Sequence, residues 1–241
     1  MSGFLLRTRF LILFTMKSDK IIYRYERKFC IDKIDKVQIE SIIKKNPAFF
    51  KEIFEERIVN NFYFDTRGFQ SYIENTDGIM DRTKYRIRWY GKTTDIISNP
   101  VLELKIKKGL LGTKKKFELQ PISTLKVNHS VINNSIEFSD IPKHVMLKLK
   151  LLIPIISNSY KRKYFLSADK KFRLTLDTDQ KFKKFNNYFI SKDCFNLDSI
   201  VVEIKYDSDC DYLVNNITNH FPFRLTKNSK FVNGVKRLYM V

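Results

Sequence analysis

Charged and apolar positions alternate with a period of two through much of this chain, the pattern of strands that bury one face. In Lys84-Tyr85-Arg86-Ile87-Arg88-Trp89-Tyr90, Lys84, Arg86 and Arg88 share one face while Tyr85, Ile87 and Trp89 share the other. The same alternation predicts strands over residues 21–31, 57–65, 101–107, 155–168, 172–178 and 199–206. Periodicity of the helical kind predicts a helix from Asp32 or Asp35 to about Lys45, with Ile34, Val37 and Ile42 on its apolar side. A short turn or helix is expected around Gly68 to Glu74. Two helical pieces follow from Ser123 to Lys150, broken near Pro142, and one more from about Asp209 to His220. Lys108-Gly109-Leu110-Leu111-Gly112 reads as a hairpin-type loop.

The charged faces are selective. They carry Arg and Lys rather than Ser, Thr, Asn or Gln, and Glu-x-Lys recurs as Glu26/Lys28, Glu103/Lys105 and Glu203/Lys205. Any one strand fits an ordinary half-buried strand with its charges in water. Taken as a set, with large apolar residues opposite, they predict an α+β fold. Its centre is a closed antiparallel β-barrel of about eight strands, with charged faces inward and helices packed outside. Nothing in the composition marks an internal boundary, so residues 21–241 are expected to form one domain behind an N-terminal extension, residues 1–20. The apolar run Phe10 to Phe14 in that extension is too short for a signal peptide, and translation starts at Met1 or Met16.

A net charge of +19 over 241 residues calls for a polyanionic partner: nucleic acid, an anionic membrane or condensed phosphate. The three cysteines, Cys30, Cys194 and Cys210, are too scattered for a metal knot and read as packing residues in a reducing compartment. No stretch approaches a membrane span, and a cytoplasmic location is expected. His129, His144 and His220 stand alone. Seven glycines and no G-x-x-x-x-G-K-[ST] argue against P-loop chemistry. The run Lys114 to Lys116 reads as a solvated loop or as a guide for an anionic product.

In order along the chain, the motifs are Arg24-x-Glu26-x-Lys28, Tyr63-Phe64-Asp65, Arg86-x-Arg88, Glu103-x-Lys105, Tyr160-x-Arg162, Thr175-x-Asp177, Glu203-x-Lys205 and Ser229-Lys230-Phe231. This series resembles the VTC domain, the polyphosphate polymerase branch of the triphosphate tunnel metalloenzyme (CYTH-like) superfamily, over about residues 21 to 237. Hydrolytic relatives usually open with Glu-x-Glu-x-Lys, whereas here Arg24 replaces the first glutamate, as in polymerases. Phe231 stands where the family often has Tyr. Within these 241 residues no SPX or transmembrane segment like those of eukaryotic relatives occurs, so the resemblance is to the stand-alone bacterial form.

The resemblance implies that ATP gives its γ-phosphoryl group to a growing polyphosphate chain, with Mn²⁺ or Mg²⁺ as cofactor. Arg86, Arg88, Lys105, Arg162, Arg173 and Lys230 would be catalytic, and Lys28, Arg24, Tyr160, Lys205, Lys227 and Ser229 would bind phosphate. Glu203 is the implied metal ligand, with Glu26 and Glu103 either joining it or orienting Lys28 and Lys105 through ion pairs. Tyr160 either bonds a phosphate or packs the barrel. ATP and polyphosphate are the implied partners, with no specific nucleic acid; the sequence leaves the oligomeric state open. Two other readings stand beside this one: a tripolyphosphatase or nucleoside triphosphatase of the same fold, and a non-catalytic module binding polyphosphate or nucleic acid.

Overall fold

Each alternating segment becomes a strand of one antiparallel barrel in the computed structural model, which describes residues 23–125, 127–186 and 189–240. The N-terminal extension and the expected strand start at Ile21 lie outside the described residues. The strands are β1 (Arg24–Ile31), β2 (Lys51–Asp65), β3 (Arg82–Tyr90), β4 (Val101–Lys108), β5 (Leu111–Glu118), β6 (Ile153–Leu166), β7 (Arg173–Asn186) and β8 (Ile200–Asp207). Around the barrel they run β1-β5-β4-β3-β2-β6-β7-β8 and return to β1, which closes the sheet. Along the β1–β8 seam every residue from Arg24/Asp207 to Ile31/Ile200 is paired, whereas β1 meets β5 only at Arg24/Gly112.

The outward faces form two apolar clusters. One joins Phe29, Ile31, Leu174, Leu176, Val202 and Ile204 to helix α1 (Lys36–Lys45) and helix α5 (Val214–Thr218). The other joins Ile87, Trp89, Leu102 and Leu104 to helices α3 (His129–Glu137) and α4 (Lys143–Leu149). With apolar residues spent on the outside, the charged residues are left facing in, as the alternation predicts.

Two further helices complete the set, α2 (Gln70–Thr76) and α6 (Lys230–Tyr239). Asp65 positions α2: its carboxylate accepts from the backbone N–H of Thr66 and Ser71, both at 2.8 Å, and of Tyr72 at 3.0 Å. Helix α6 packs Phe231 and Val235 onto Tyr63, Ile156 and Phe182. Gly234 allows that approach, since a Cβ there would lie 2.6 Å from Ile156 Cδ1 and 2.8 Å from Phe182 Cδ1.

Several local expectations need correction. Asp35 caps α1, but Val37 is 77 % exposed while Ile39 and Ile43 are buried. The i, i+4 pair Ile39/Ile43 takes the core face, with Ile34 and Ile42 packed beside it. Strand β2 starts at Lys51, well before Arg57; its register slips on both sides of Phe54, so no even alternation marks its first residues. Ser123 belongs to a two-residue ladder with Ile96–Ile97, and α3 begins only at His129, capped by Asn128. The stretch near Asp209 is 3₁₀ from Ser208 to Leu213 before α5 begins. Lys114–Lys116 is not a loop, because all three residues lie in β5. Cys194 is exposed and packs nothing, while Cys210 lies against the first cluster. Among the described residues no helix is long and apolar enough to cross a membrane.

Candidate active site: a basic tunnel with buried carboxylates

Strand register decides which charges meet. Across β3 and β4, Arg86 faces Glu103 and Lys84 faces Lys105; across β1 and β8, Glu26 faces Lys205 and Lys28 faces Glu203. Across β6 and β7, Arg162 faces Asp177. Direct cross-strand neighbours on one face are close enough for their side chains to bond. Except where Lys84 meets Lys105, acid therefore sits beside base at these crossings, and three groupings result.

The first is built on Glu103, which is 2 % exposed. Its Oε2 accepts from Arg86 Nε at 2.9 Å and Nη2 at 2.6 Å, with Arg88 Nη1 at 3.7 Å. Its Oε1 lies 3.4 Å from Lys114 Nζ. Arg86 also donates to Tyr63 Oη, and Arg88 donates to Asn61 Oδ1 and to Tyr160 Oη at 3.0 Å. The Tyr160 hydroxyl thus orients an arginine within the wall. Burial opposes ionisation of Glu103, yet Arg86, Arg88 and Lys114 hold its carboxyl far below the usual range.

The second is built on Asp177. Arg162 donates to both of its oxygens, at 2.5 and 2.7 Å, and Lys230 Nζ reaches Oδ2 at 2.6 Å. Lys230 is the first residue of α6, so this contact fastens the helix to the tunnel wall. Its ammonium also lies 4.6 Å from the Tyr160 ring centroid. Asp177 was legible only as part of a motif, since nothing in the sequence shows which strand lies across from it.

The third joins Glu26 and Glu203 through Lys28, whose Nζ is 3.4 Å from one and 3.5 Å from the other. Lys105 Nζ donates to Glu26 at 2.9 Å, and Lys205 pairs with Glu203. Burial favours the neutral acid in both glutamates. Lys105 and Lys28 nevertheless bring Glu26 down to about 2, and Lys205, Lys28 and Lys105 hold Glu203 well below its ordinary value.

A model of the VTC domain matches residues 23–239. The chain belongs to the VTC domain family. A search of curated proteins found no match. Among solved structures, an adenylyl cyclase-type protein from Hippeastrum, described as having a dominant triphosphatase activity, is similar at 15% identity and a TM-score of 0.51, over 90% of this chain and 95% of that one. The PH1819 protein of Pyrococcus horikoshii OT3 is similar at 13% identity and a TM-score of 0.50, over 89% of this chain and 99% of that one. Both likenesses are at the level of the fold.

In this VTC domain the residues expected at the site divide by place. Arg86, Arg88, Lys105, Arg162, Lys28, Lys205, Tyr160 and Lys230 line one tunnel and are held by the contacts above. Arg24, Arg173 and Lys227 lie farther out: Arg24 pairs with Asp207 at 3.1 Å, and Arg173 and Lys227 are exposed. Ser229 caps α6, and its Oγ also accepts from Lys84 Nζ at 3.1 Å. Lys84 itself went unremarked in sequence as a site residue, although it shares a face with Arg86 and Arg88.

The three glutamates do not converge. Glu103 is gripped by guanidinium groups, and among the described residues no group of three or more His, Cys, Asp or Glu gathers on one point. Glu26 and Glu203 flank the same lysine, are ionised, and offer the hard oxygens that Mg²⁺ or Mn²⁺ takes when substrate phosphates supply the remaining ligands. Beside them the Thr175 hydroxyl, on the residue facing Glu203 across β7, is buried without a partner. Two carboxylates and an unpartnered hydroxyl fit a phosphate-bridged divalent ion better than a site made by protein alone.

Proposed function

We propose that this VTC domain is a metal-dependent polyphosphate polymerase, moving the γ-phosphoryl group of ATP onto the end of a growing polyphosphate chain. The observation that carries the reading is the way buried carboxylates hold the tunnel arginines. Glu103 fixes Arg86 and Arg88, and Asp177 fixes Arg162, so the guanidinium groups are oriented before substrate enters. Phosphoryl transfer asks for little beyond such positioning and neutralisation of charge. Planar guanidinium forks suit phosphate oxygens, and Lys28, Lys105, Lys205 and Lys230 add point charge.

A terminal oxygen of the chain attacks the γ-phosphorus, the bond from that phosphorus to the β-phosphate oxygen breaks, and ADP leaves. The attacking oxygen is already ionised near neutral pH, so the residues need not remove a proton. Glu203 and Glu26 would hold the divalent ion, which would supply positive charge to offset that of the phosphates. Arg24 supports synthesis over hydrolysis, since it puts a cation where hydrolytic relatives carry a further glutamate. ATP as donor and free thiols both suit the cytoplasm.

Hydrolysis of tripolyphosphate or nucleoside triphosphate is the second reading, favoured by the activity attached to the Hippeastrum protein. Incubation with ATP and Mn²⁺, resolved for long polyphosphate and free phosphate on one gel, separates the two. A polyphosphate ladder absent from Arg86→Ala and Glu203→Ala supports polymerisation. Free phosphate without chains supports hydrolysis, and neither product under several metals leaves a polyanion-binding module.

A further inference from the structure

The two mouths of the tunnel differ in chemistry. At one, Arg82 faces Lys107 across β3 and β4, next to Lys84 and the aliphatic Ile79, Met80 and Leu110. At the other, three strands run out with aromatic residues on their tunnel faces. Tyr90 continues the row of Arg86 and Arg88 on β3, and Tyr164 continues the row of Tyr160 and Arg162 on β6. Phe54 on β2 is the cross-strand partner of Tyr164, and their rings meet edge to face at 5.8 Å.

Arginines are set among these rings. The Arg57 guanidinium lies 4.6 Å from the Phe54 ring centroid and 5.8 Å from that of Tyr164, and Arg162 lies 5.9 Å from the Tyr164 ring. Large rings on a tunnel face gain little from solvent: Phe54 is 48 % exposed and Tyr90 51 %. They sit where a flat, apolar partner would cover them. Bulges on either side of Phe54 break the β2 ladder here, bending the strand edge at this mouth.

We propose that this mouth holds the nucleobase of the nucleoside triphosphate donor, stacked on Tyr90 and Tyr164, with Phe54 and Arg57 walling the pocket. The inference rests on the ATP-dependent reading above and adds a direction to it. Arg86 is four residues from Tyr90 along β3, about 13 Å at the usual strand rise. A base on Tyr90 therefore lets the triphosphate run inward past Arg88 and Arg162 to Arg86. The polyphosphate chain is left the opposite mouth, beside Lys84 and Lys107. Stacking of this kind tolerates any base, since every base offers a π-face, so ATP and GTP should be held alike.

Calorimetric titration of the full chain with Mg²⁺ and either β,γ-imido-ATP or inorganic tripolyphosphate tests this. Replacing both rings, Tyr90→Leu with Tyr164→Leu, should weaken the nucleotide about tenfold and tripolyphosphate less than about twofold. The paired Tyr90→Phe and Tyr164→Phe variant, which keeps the rings, should bind the nucleotide as the wild type does. Equal losses for both ligands would overturn the inference by making the rings structural. Unchanged nucleotide binding in the leucine variant would overturn it as well, with the tunnel reading intact. Failure of the wild type to bind either ligand would overturn the tunnel reading and this inference together.

Discussion

Asp177 grips Arg162 at two points inside the tunnel wall, and the same carboxylate takes Lys230 from the start of α6. One buried acid thus fixes a tunnel-lining guanidinium and ties down the helix that closes part of the barrel. Breaking such a pair from one side leaves buried charge uncompensated, typically at a cost of about 3–5 kcal/mol. Asp177→Asn should lose stability of that order in urea unfolding. Tripolyphosphate should restore part of it, because the anion replaces the lost negative charge.

The same acid makes stability depend on pH. Burial favours its neutral form, but Arg162 and Lys230 bring its pKa from the ordinary 3.8 to about 2. The folded state therefore holds its proton less tightly than the unfolded chain. The stabilisation is complete above about pH 4 and disappears as pH falls through about 2, with a size of about 2 kcal/mol. Urea midpoints between pH 6 and pH 2 should fall by less in Asp177→Asn than in the wild type.

Gly234 is the point of closest approach between α6 and the barrel. A methyl group there would meet Ile156 and Phe182 well inside contact distance, while alanine would favour the helix by about 1 kcal/mol. Overpacking of a filled core costs about 1–3 kcal/mol, so the clash wins. Gly234→Ala should lower the unfolding midpoint. It should also weaken tripolyphosphate binding, since the helix it displaces carries Lys230 to Asp177 and Ser229 to Lys84.

The inward rows were legible because period-two alternation carries through Arg86 and Arg88, Glu103 and Lys105, Tyr160 and Arg162, and Glu203 and Lys205. What alternation does not carry is register. That Glu103 would hold Arg86, leaving Glu26 and Glu203 to share Lys28, depends on which strand lies beside which and on how far it is slid. Phe54 and Arg57 were hidden for another reason: the β2 ladder slips twice around them, so the even spacing that marks a tunnel face is lost. Gly234 gave no signal, because the need for glycine arises only from the side chains of Ile156 and Phe182 on other strands.

Glu103 and Arg86 offer a separate test of pre-organisation. Glu103→Gln keeps the shape of the side chain and removes the charge that draws Arg86 and Arg88 together. A hydrogen bond to a charged group contributes about 1.5–3 kcal/mol, and the loss in thermal unfolding should lie in that range. If oriented guanidinium groups drive transfer, turnover of ATP should fall by more than nucleotide affinity does, because a freed Arg86 still binds anions but no longer points at one place. A fall in affinity alone would mean that Glu103 only balances charge.

Lys84 is a tunnel cation set among other cations. It faces Lys105 across β4, has Arg82 on its own strand, and has Lys28 and Lys107 nearby; its ammonium donates to the Ser229 hydroxyl and to the Asn75 side-chain oxygen at 2.8 Å. Burial first, and then those four positive neighbours, push its pKa down to about 6. The folded protein therefore holds this proton less tightly than the unfolded chain, in which lysine titrates near 10.4. At pH values below about 6 the full cost of charging Lys84 destabilises the fold, and the cost fades as pH rises toward the unfolded value. Lys84→Met should stabilise the empty protein, most of all at low pH. A bound polyphosphate reverses the balance, since its charge draws the proton back to the ammonium. Tripolyphosphate binding at pH 7.5 should take up protons, seen as a binding heat that changes with the ionisation enthalpy of the buffer, and Lys84→Met should reduce that uptake. Proton uptake equal in both proteins would place the titrating group elsewhere in the tunnel, with Lys105, whose pKa is lowered to about 8, the next to test.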